Sequence, residues 1–102
     1  MSDKVYSIDE IKELLMKIFE KYGVKKAILF GSYAKNKQNK KSDIDIVVDS
    51  DGKLLNIMFY GLLEEITTVL QKDIDLIEIN EINPNSAIYS SIQNEGVSIY
   101  ER

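Results

Sequence analysis

Three short segments of this 102-residue sequence carry residue types suited to phosphate and metal chemistry. Gly31-Ser32 directly follows the apolar run at 27–30, so a glycine that permits close backbone approach stands where a strand would end. If a helical turn opens there, its free N–H groups and the serine hydroxyl can donate to a phosphate. Asp43-Ile44-Asp45 opens a second apolar run, and Asp75 lies inside a third.

The two aspartates of the second segment alternate with Ile44, so in a β-strand both carboxylates project from the same face. If the third strand neighbours the second, Asp75 joins them, and Asp73 is its rival within the same alternation. Three carboxylates on one face repel one another unless a cation lies among them, and one or two Mg²⁺ ions suit such hard oxygen ligands. With a phosphate-binding turn, these residues indicate metal-assisted phosphoryl or nucleotidyl transfer, although a solvated strand end would also explain Asp-x-Asp alone.

The composition restricts the chemistry further. The absence of His and Cys excludes His-activated nucleophiles, disulfides and thiolate metal sites. The 17 acidic and 13 basic residues give a net charge of −4, which argues against a bulk nucleic-acid binder. Between residues 21 and 42 there is no acid, and we expect an anion to be met there. This window holds Lys21, Lys25, Lys26 and a group of four, Lys35, Lys37, Lys40 and Lys41, that forms either a solvated loop or a guide for a triphosphate or a partner.

The elements that must position these residues follow one another closely, as in one domain spanning residues 1–102. Ser7 and Glu10 form a capping-box pattern, and apolar residues at spacings of three and four predict a helix over 8–22, which Gly23 ends. Further predicted elements are strands at 27–30, 44–48, 74–79 and 97–100, a short helix opening at 33–35, a helix at 54–70, and a last helix capped by Asn83-Pro84 and ending near Glu95. This order predicts an α/β or α+β domain whose helices pack on one small mixed sheet. The sequence contains no signal-peptide or membrane-span pattern, which favours a cytoplasmic protein.

The spacing of the motifs resembles the signature of the polymerase-β-like nucleotidyltransferase superfamily. Ten residues separate Gly31-Ser32 from Asp43-Ile44-Asp45, and a later Asp follows on a third strand. The blocks at 29–35 (Leu-Phe-Gly-Ser-Tyr-Ala-Lys) and 41–48 (Lys-Ser-Asp-Ile-Asp-Ile-Val-Val) look like core segments of minimal nucleotidyltransferases, which are stand-alone domains of about this length. The resemblance covers nearly the whole chain and implies the polymerase-β-like nucleotidyltransferase fold.

Carried over by position, the resemblance assigns the acidic residues to metal binding and catalysis. It implies that Asp43 and Asp45 ligate the metal, with two Mg²⁺ ions as cofactors. Asp75 would complete the site as a further ligand and could accept the proton of the attacking hydroxyl. We favour Asp75 over Asp73 because members of the family place an apolar residue on each side of this carboxylate, as this sequence does around Asp75.

The resemblance also implies a site for ATP at the glycine-serine turn. Gly31 and Ser32 would hold the nucleotide phosphates, and Tyr33 and Lys35 stand beside them. Tyr33 could meet the adenine, or it could be a packing residue. Relatives often carry Arg-Gly after Tyr-Ala, whereas this sequence has Lys35-Asn36, so the charge is kept but the bidentate fork of arginine is lost.

Minimal nucleotidyltransferases are commonly paired with a HEPN-domain protein in toxin–antitoxin systems. The resemblance therefore implies a Mg²⁺-dependent protein adenylyltransferase that moves AMP from ATP to a tyrosine hydroxyl of a HEPN toxin and so acts as an antitoxin. A hetero-oligomer with that toxin is expected, without direct contact to nucleic acid or membrane.

Other functions are compatible with parts of the same pattern. A non-catalytic module could bind nucleotide, or could neutralise a basic HEPN RNase by contact through its acidic C-terminal half. A small-molecule nucleotidyltransferase would share the motif, but such enzymes usually need an added domain to hold the acceptor. A phospho-accepting receiver domain is disfavoured because this chain is too short for five βα units and has only Lys53 and Lys72 among the lysines of its late half.

Overall fold

The computed structural model describes residues 4–35, 37–39 and 41–102, so Asn36 and Lys40, both considered above, lie outside the described residues. The elements are α1 (Ile8–Lys21), β1 (Lys26–Phe30), β2 (Ile44–Asp49), α2 (Asn56–Leu70), β3 (Ile74–Glu78), a 3₁₀ turn (Ile79–Glu81), α3 (Ala87–Glu95) and β4 (Val97–Glu101). The predicted mixed α+β fold is confirmed.

The four strands form one mixed sheet in the order β3-β2-β1-β4. β1 is antiparallel to both β2 and β4, whereas β2 and β3 run parallel. Parallel neighbours need a long crossover, and α2 supplies it here. The condition for Asp75 to join Asp45, that their strands are neighbours, is met, because these two residues are register partners.

The two faces of the sheet carry separate apolar clusters. Residues Ile44, Ile46 and Val48 of β2 alternate into the larger core, where the buried faces of α1 and α2 pack. Val47 points to the opposite face and packs in a smaller cluster with Ile92 of α3. By the same alternation Asp45 belongs to the face of α3, at the end where β2 begins.

A buried polar group fixes the opposite end of β2 and β3. The Glu78 carboxylate accepts hydrogen bonds from the Ser50 hydroxyl at 2.8 Å and from the Ser50 amide at 3.3 Å. The Ser50 hydroxyl in turn accepts the Leu54 amide at 3.2 Å, which ties down the chain before α2. Burial raises the pKa of Glu78, although both bonds from Ser50 oppose this effect.

Capping residues and apolar spacing in the sequence predicted most helix ends correctly. The Ser7–Glu10 capping box is present, with both reciprocal bonds formed. The predicted cap at Asn83-Pro84 is wrong, because the Asn83 side chain accepts the Asn85 amide in a preceding turn, and Ser86 caps α3 by accepting the Tyr89 amide. Gly31 to Lys35 form hydrogen-bonded turns rather than the short helix expected at 33–35.

The helices in the described part of the chain are short. The longest, α2, has 15 residues, and an α-helix needs about 20 apolar residues to cross a bilayer. None of the described helices has the length and apolar character that a membrane span requires.

We predict that Gly96→Ala destabilises the fold. With φ at −68°, Gly96 could be replaced by Ala without backbone strain, and such changes ordinarily stabilise by about 0.4–1 kcal/mol. Here a β-carbon would collide with the Ile92 carbonyl oxygen and the Ile28 side chain, so we expect a loss of about 1–3 kcal/mol in the free energy of unfolding. Urea denaturation measures the loss. Ser98→Ala, at an exposed position of β4 two residues further on, is the control. Equal stability of Gly96→Ala and wild type would contradict the packing described.

Candidate active site

The carboxylates of Asp45 and Asp75 lie side by side because of the register of two parallel strands. Asp45 is the direct partner of Asp75, in the second position of both strands. The Ile44 amide donates to the Asp73 carbonyl at 3.0 Å, which holds the two strands together at the end where they begin. Asp75 is exposed, Asp43 is exposed just before β2, and Asp45 is partly buried.

Asp45 experiences the charge of its neighbours. Its pKa is raised to about 6, first by burial and then by repulsion from the carboxylates of Asp75 and Asp43. The structure therefore places Asp75 in the position from which it acts on Asp45, while Asp73 meets the second strand through its backbone carbonyl. A cation beside these acids would remove the repulsion that raises this pKa.

The predicted phosphate-binding turn lies directly against Asp45. Gly31 has φ at +74°, a left-handed conformation, and a β-carbon there would collide with the Asp45 carboxylate. The turn is closed by the Lys35 amide, which donates to the Gly31 carbonyl at 3.2 Å, and by the Lys37 amide, which donates to the Ser32 carbonyl at 2.9 Å. The Gly31-Ser32 segment and the Asp43-Ile44-Asp45 segment are therefore in contact through Gly31 and Asp45.

Two of the residues predicted to bind nucleotide are placed differently from what their sequence position suggested. Tyr33 is completely buried in the larger core, and burial raises its pKa. Its ring therefore packs inside the protein, which favours the second of the two alternatives given above, a packing residue, over contact with the adenine. The Lys35 ammonium lies 3.2 Å from the Glu95 carboxylate of α3, and about half of each side chain is exposed.

Glu95 is a residue of this region that the sequence reading missed. It was considered only as the end of the last helix, although a negative charge in the last turn of a helix is unfavourable to the helix dipole. This unfavourable charge at the end of the helix could have predicted that Glu95 has a cationic partner, which is Lys35. The Ser91 hydroxyl also donates to the Glu95 carboxylate, at 3.3 Å.

The described acidic residues have donors that suit a metal ion but are not arranged around one. Among the residues that the structure describes, no group of three acidic side chains is arranged to enclose a metal ion. The chemistry of the donors nevertheless fits a hard cation, since Asp45 is partly desolvated and faces two further carboxylates that repel it. Asp43, Asp45 and Asp75 are thus the residues of this face that could hold Mg²⁺.

Comparison with known proteins places this arrangement in context. Residues 13–102 match the protein family described as "Polymerase beta, Nucleotidyltransferase". A protein of Methanocaldococcus jannaschii that is named as a protein adenylyltransferase is 42% identical over 94 residues, which cover 91% of this chain and 98% of the relative.

Solved structures share the fold. A toxin–antitoxin complex with AMP-PNP has a similar chain, with a TM-score of 0.76 and 24% identity, covering 89% of this chain and 73% of the other. A second structure, a tri-AMPylated Shewanella oneidensis HEPN toxin in complex with MNT antitoxin, matches with a TM-score of 0.71 and 21% identity, covering 93% of this chain and 73% of the other.

We predict that Asp45→Asn stabilises the protein above about pH 6 when divalent cations are removed by EDTA. Because the folded state raises the Asp45 pKa to about 6, the folded protein binds this proton more tightly than the unfolded chain does. Stability of the wild type therefore falls as pH rises from about 4 to about 6, and the uncharged Asn avoids that loss. The expected gain is about 1–2 kcal/mol in the free energy of unfolding.

Urea denaturation at about pH 7.5 and about pH 4.5 measures this difference, and the gain should shrink at the lower pH. Asp73→Asn, which keeps the backbone bond to Ile44, is the matched control and should show no comparable gain. A gain of equal size at both pH values would show that charge at Asp45 is not its cause.

Proposed function

This chain belongs to the polymerase-β nucleotidyltransferase family, and from that membership we propose that it is a Mg²⁺-dependent protein adenylyltransferase. In this proposal it moves AMP from ATP to a tyrosine hydroxyl of a HEPN toxin and thereby acts as an antitoxin. The observation that carries the proposal is the contact of the Gly31 turn with Asp45, at the position where Asp45 pairs with Asp75. A phosphate-binding turn and paired carboxylates then face the same space.

The relatives support the choice of substrate and partner. The Methanocaldococcus protein is named for adenylyl transfer to protein, and this chain covers nearly its full length. Among proteins of the same fold, one is a toxin–antitoxin complex with AMP-PNP and another contains an AMPylated HEPN toxin. An ATP-dependent transfer to a HEPN protein is the activity that fits both.

The residues of the turn would bind and orient the nucleotide. The backbone N–H groups after Gly31 and the hydroxyl of the partly exposed Ser32 can donate to phosphate oxygens. Asp43, Asp45 and Asp75 would hold Mg²⁺, which when bound neutralises phosphate charge and favours departure of pyrophosphate. The ion pair of Lys35 with Glu95 is half exposed, so Lys35 can exchange Glu95 for a phosphate at small cost.

The proton of the attacking hydroxyl needs an acceptor at the open side of the site, and Asp75 is exposed there. As the tyrosine oxygen bonds to the α-phosphorus, the bond from that phosphorus to the pyrophosphate oxygen breaks, and the hydroxyl proton passes to Asp75. Because Asp43 and Asp75 are both exposed, a side chain carried on a large partner can reach the site from solvent.

We predict that a HEPN protein is encoded beside this gene and that purified protein, ATP and Mg²⁺ add AMP to it. Asp45→Asn and Asp75→Asn should each lower the rate by at least about 100-fold. Intact-mass and peptide mass spectrometry locate the adduct and count the groups transferred. Asp73→Asn, which retains the β3 backbone contact, should keep most of the activity.

Failure of the wild type to form any adduct under these conditions would contradict the proposed transfer. If Asp45→Asn forms no adduct but still suppresses the RNase activity of the HEPN protein, neutralisation occurs by contact. That result would favour the non-catalytic alternative.

A further inference from the structure

A groove of about 790 Å³ separates α1 from the last strand of the sheet. Residues between Asp9 and Glu20 of α1 form one wall, and residues 99–102, in β4 and directly after it, form the other. We call this cavity the α1–β4 groove. Since β4 stands at one end of the sheet order β3-β2-β1-β4, its outer side borders the groove. An exposed sheet edge is a place where an extended peptide can add a further strand through its main chain.

The backbone of β4 has hydrogen-bonding groups that the ladder with β1 does not use. The Arg102 amide donates to the Lys25 carbonyl at 2.8 Å, so its backbone faces the sheet. Adjacent residues of an antiparallel strand direct their backbone groups to opposite sides, and those of Glu101 therefore point toward the outer edge. Ile99 has no register partner in β1, because the pairing shifts by one residue there. An added strand could pair with this outer edge.

The α1 wall of the groove is acidic. Asp9, Glu13 and Glu20 are all exposed, and within the described part of the chain none of them forms an ion pair. Other described acids do pair with lysines, namely Glu10, Asp51, Glu65, Glu95 and Glu101. Glu20 lies in the last turn of α1, where a negative charge is unfavourable to the helix dipole. This wall therefore suits a cationic occupant.

The floor of the groove is apolar. Met16, between the acids of α1, is 45% exposed. Ile99 and Tyr100 both contact the larger core although they are consecutive, which a bulge permits. Lys12 and Arg102 also line the groove, and with four acidic residues they leave its lining at a net charge of −2. Lysine and arginine fit such a surface, because an aliphatic stem can cover the floor while the charged end reaches the acidic wall.

The spacing of the acids matches that of alternate residues in a strand. Asp9 and Glu13 are four residues apart on α1, which corresponds to about 6 Å along the helix axis. Two residues of a strand span about 6.6 Å, and alternate side chains point to the same side. With lengths of about 21 Å and about 17 Å, α1 and β4 can both flank a segment of about five residues.

We propose that the α1–β4 groove binds an extended segment of a partner protein, with Lys or Arg at alternate positions, as a strand added beside β4. Its main chain pairs with the outer edge of β4, and its basic side chains reach Glu13 and Glu20 across the apolar floor. A second copy of this chain, with a net charge of −4, and a nucleic acid both have the wrong sign of charge for this wall. Because β4 and β3 form opposite edges of the sheet, about 14 Å apart, the inference does not rest on the reaction proposed for Asp75.

Fluorescence anisotropy with a labelled octapeptide of alternating Lys and Thr, in about 0.1 M salt, measures binding to the whole chain. This peptide should bind at least about tenfold more tightly than the octapeptide of alternating Glu and Thr. Glu13→Lys combined with Glu20→Lys should weaken its binding at least about tenfold, because both exposed carboxylates are replaced by repelling charges. Glu64→Lys combined with Glu81→Lys, two exposed acids outside the groove, changes the net charge equally and should leave the affinity within about twofold. Circular dichroism verifies that both double variants are folded.

Two N-methylated versions of the Lys-Thr peptide test strand addition itself. One is methylated at every Lys amide and the other at every Thr amide, so both keep every charge. Only one set of amides faces β4 when the Lys side chains face α1, so one version should lose at least about tenfold in affinity and the other should bind like the parent.

The inference is overturned if the Lys-Thr peptide fails to bind at about 1 mM or binds no better than the Glu-Thr peptide. Equal weakening by the control pair, or full binding of both N-methylated peptides, would exclude the groove or the added strand. Self-association of the chain that Glu13→Lys and Glu20→Lys abolish would place a second copy in the groove and exclude the basic partner.

Discussion

The central physical constraint in this protein is that the fold holds together carboxylates that repel one another at the beginning of β2 and β3. Asp45 and Asp75 are register partners on adjacent parallel strands, and Asp43 adds a third negative charge. Burial and these neighbours raise the Asp45 pKa to about 6, so the metal-free fold loses stability as this group ionises. Carboxylates with a raised pKa and charged neighbours are common at functional sites.

The rest of the fold holds these charges together. β2 is buried along its length and pairs on both sides, so its position relative to β3 cannot shift without exposing core residues. At the far end of the two strands Glu78 accepts two hydrogen bonds from Ser50, which fixes the register from the other side. Gly31 brings the turn after β1 against Asp45, where any larger residue would collide.

The two ends of the sheet have different surfaces. The end with Asp45 is acidic and open to solvent, which suits a reaction on a large acceptor. Toward the opposite end, α2 begins without a charge and leaves Ile57 and Tyr60 exposed.

Sequence alone determined what depends on near neighbours in the chain. The capping box of α1, the strands and the glycine-serine and Asp-x-Asp segments are signals within about ten residues, and their order sufficed for the fold class. Tertiary structure decided what depends on register and burial: the pairing of Asp75 with Asp45, the burial of Tyr33 and the contact of Lys35 with Glu95.

The N-cap of α3 was misplaced because Asn83 and Ser86 both have capping side chains, and only the hydrogen bonds distinguish them. The apolar pattern of α2 is the same in sequence whether its residues are buried or exposed. Only the tertiary structure shows that Leu62 and Ile66 are buried whereas Ile57 is exposed.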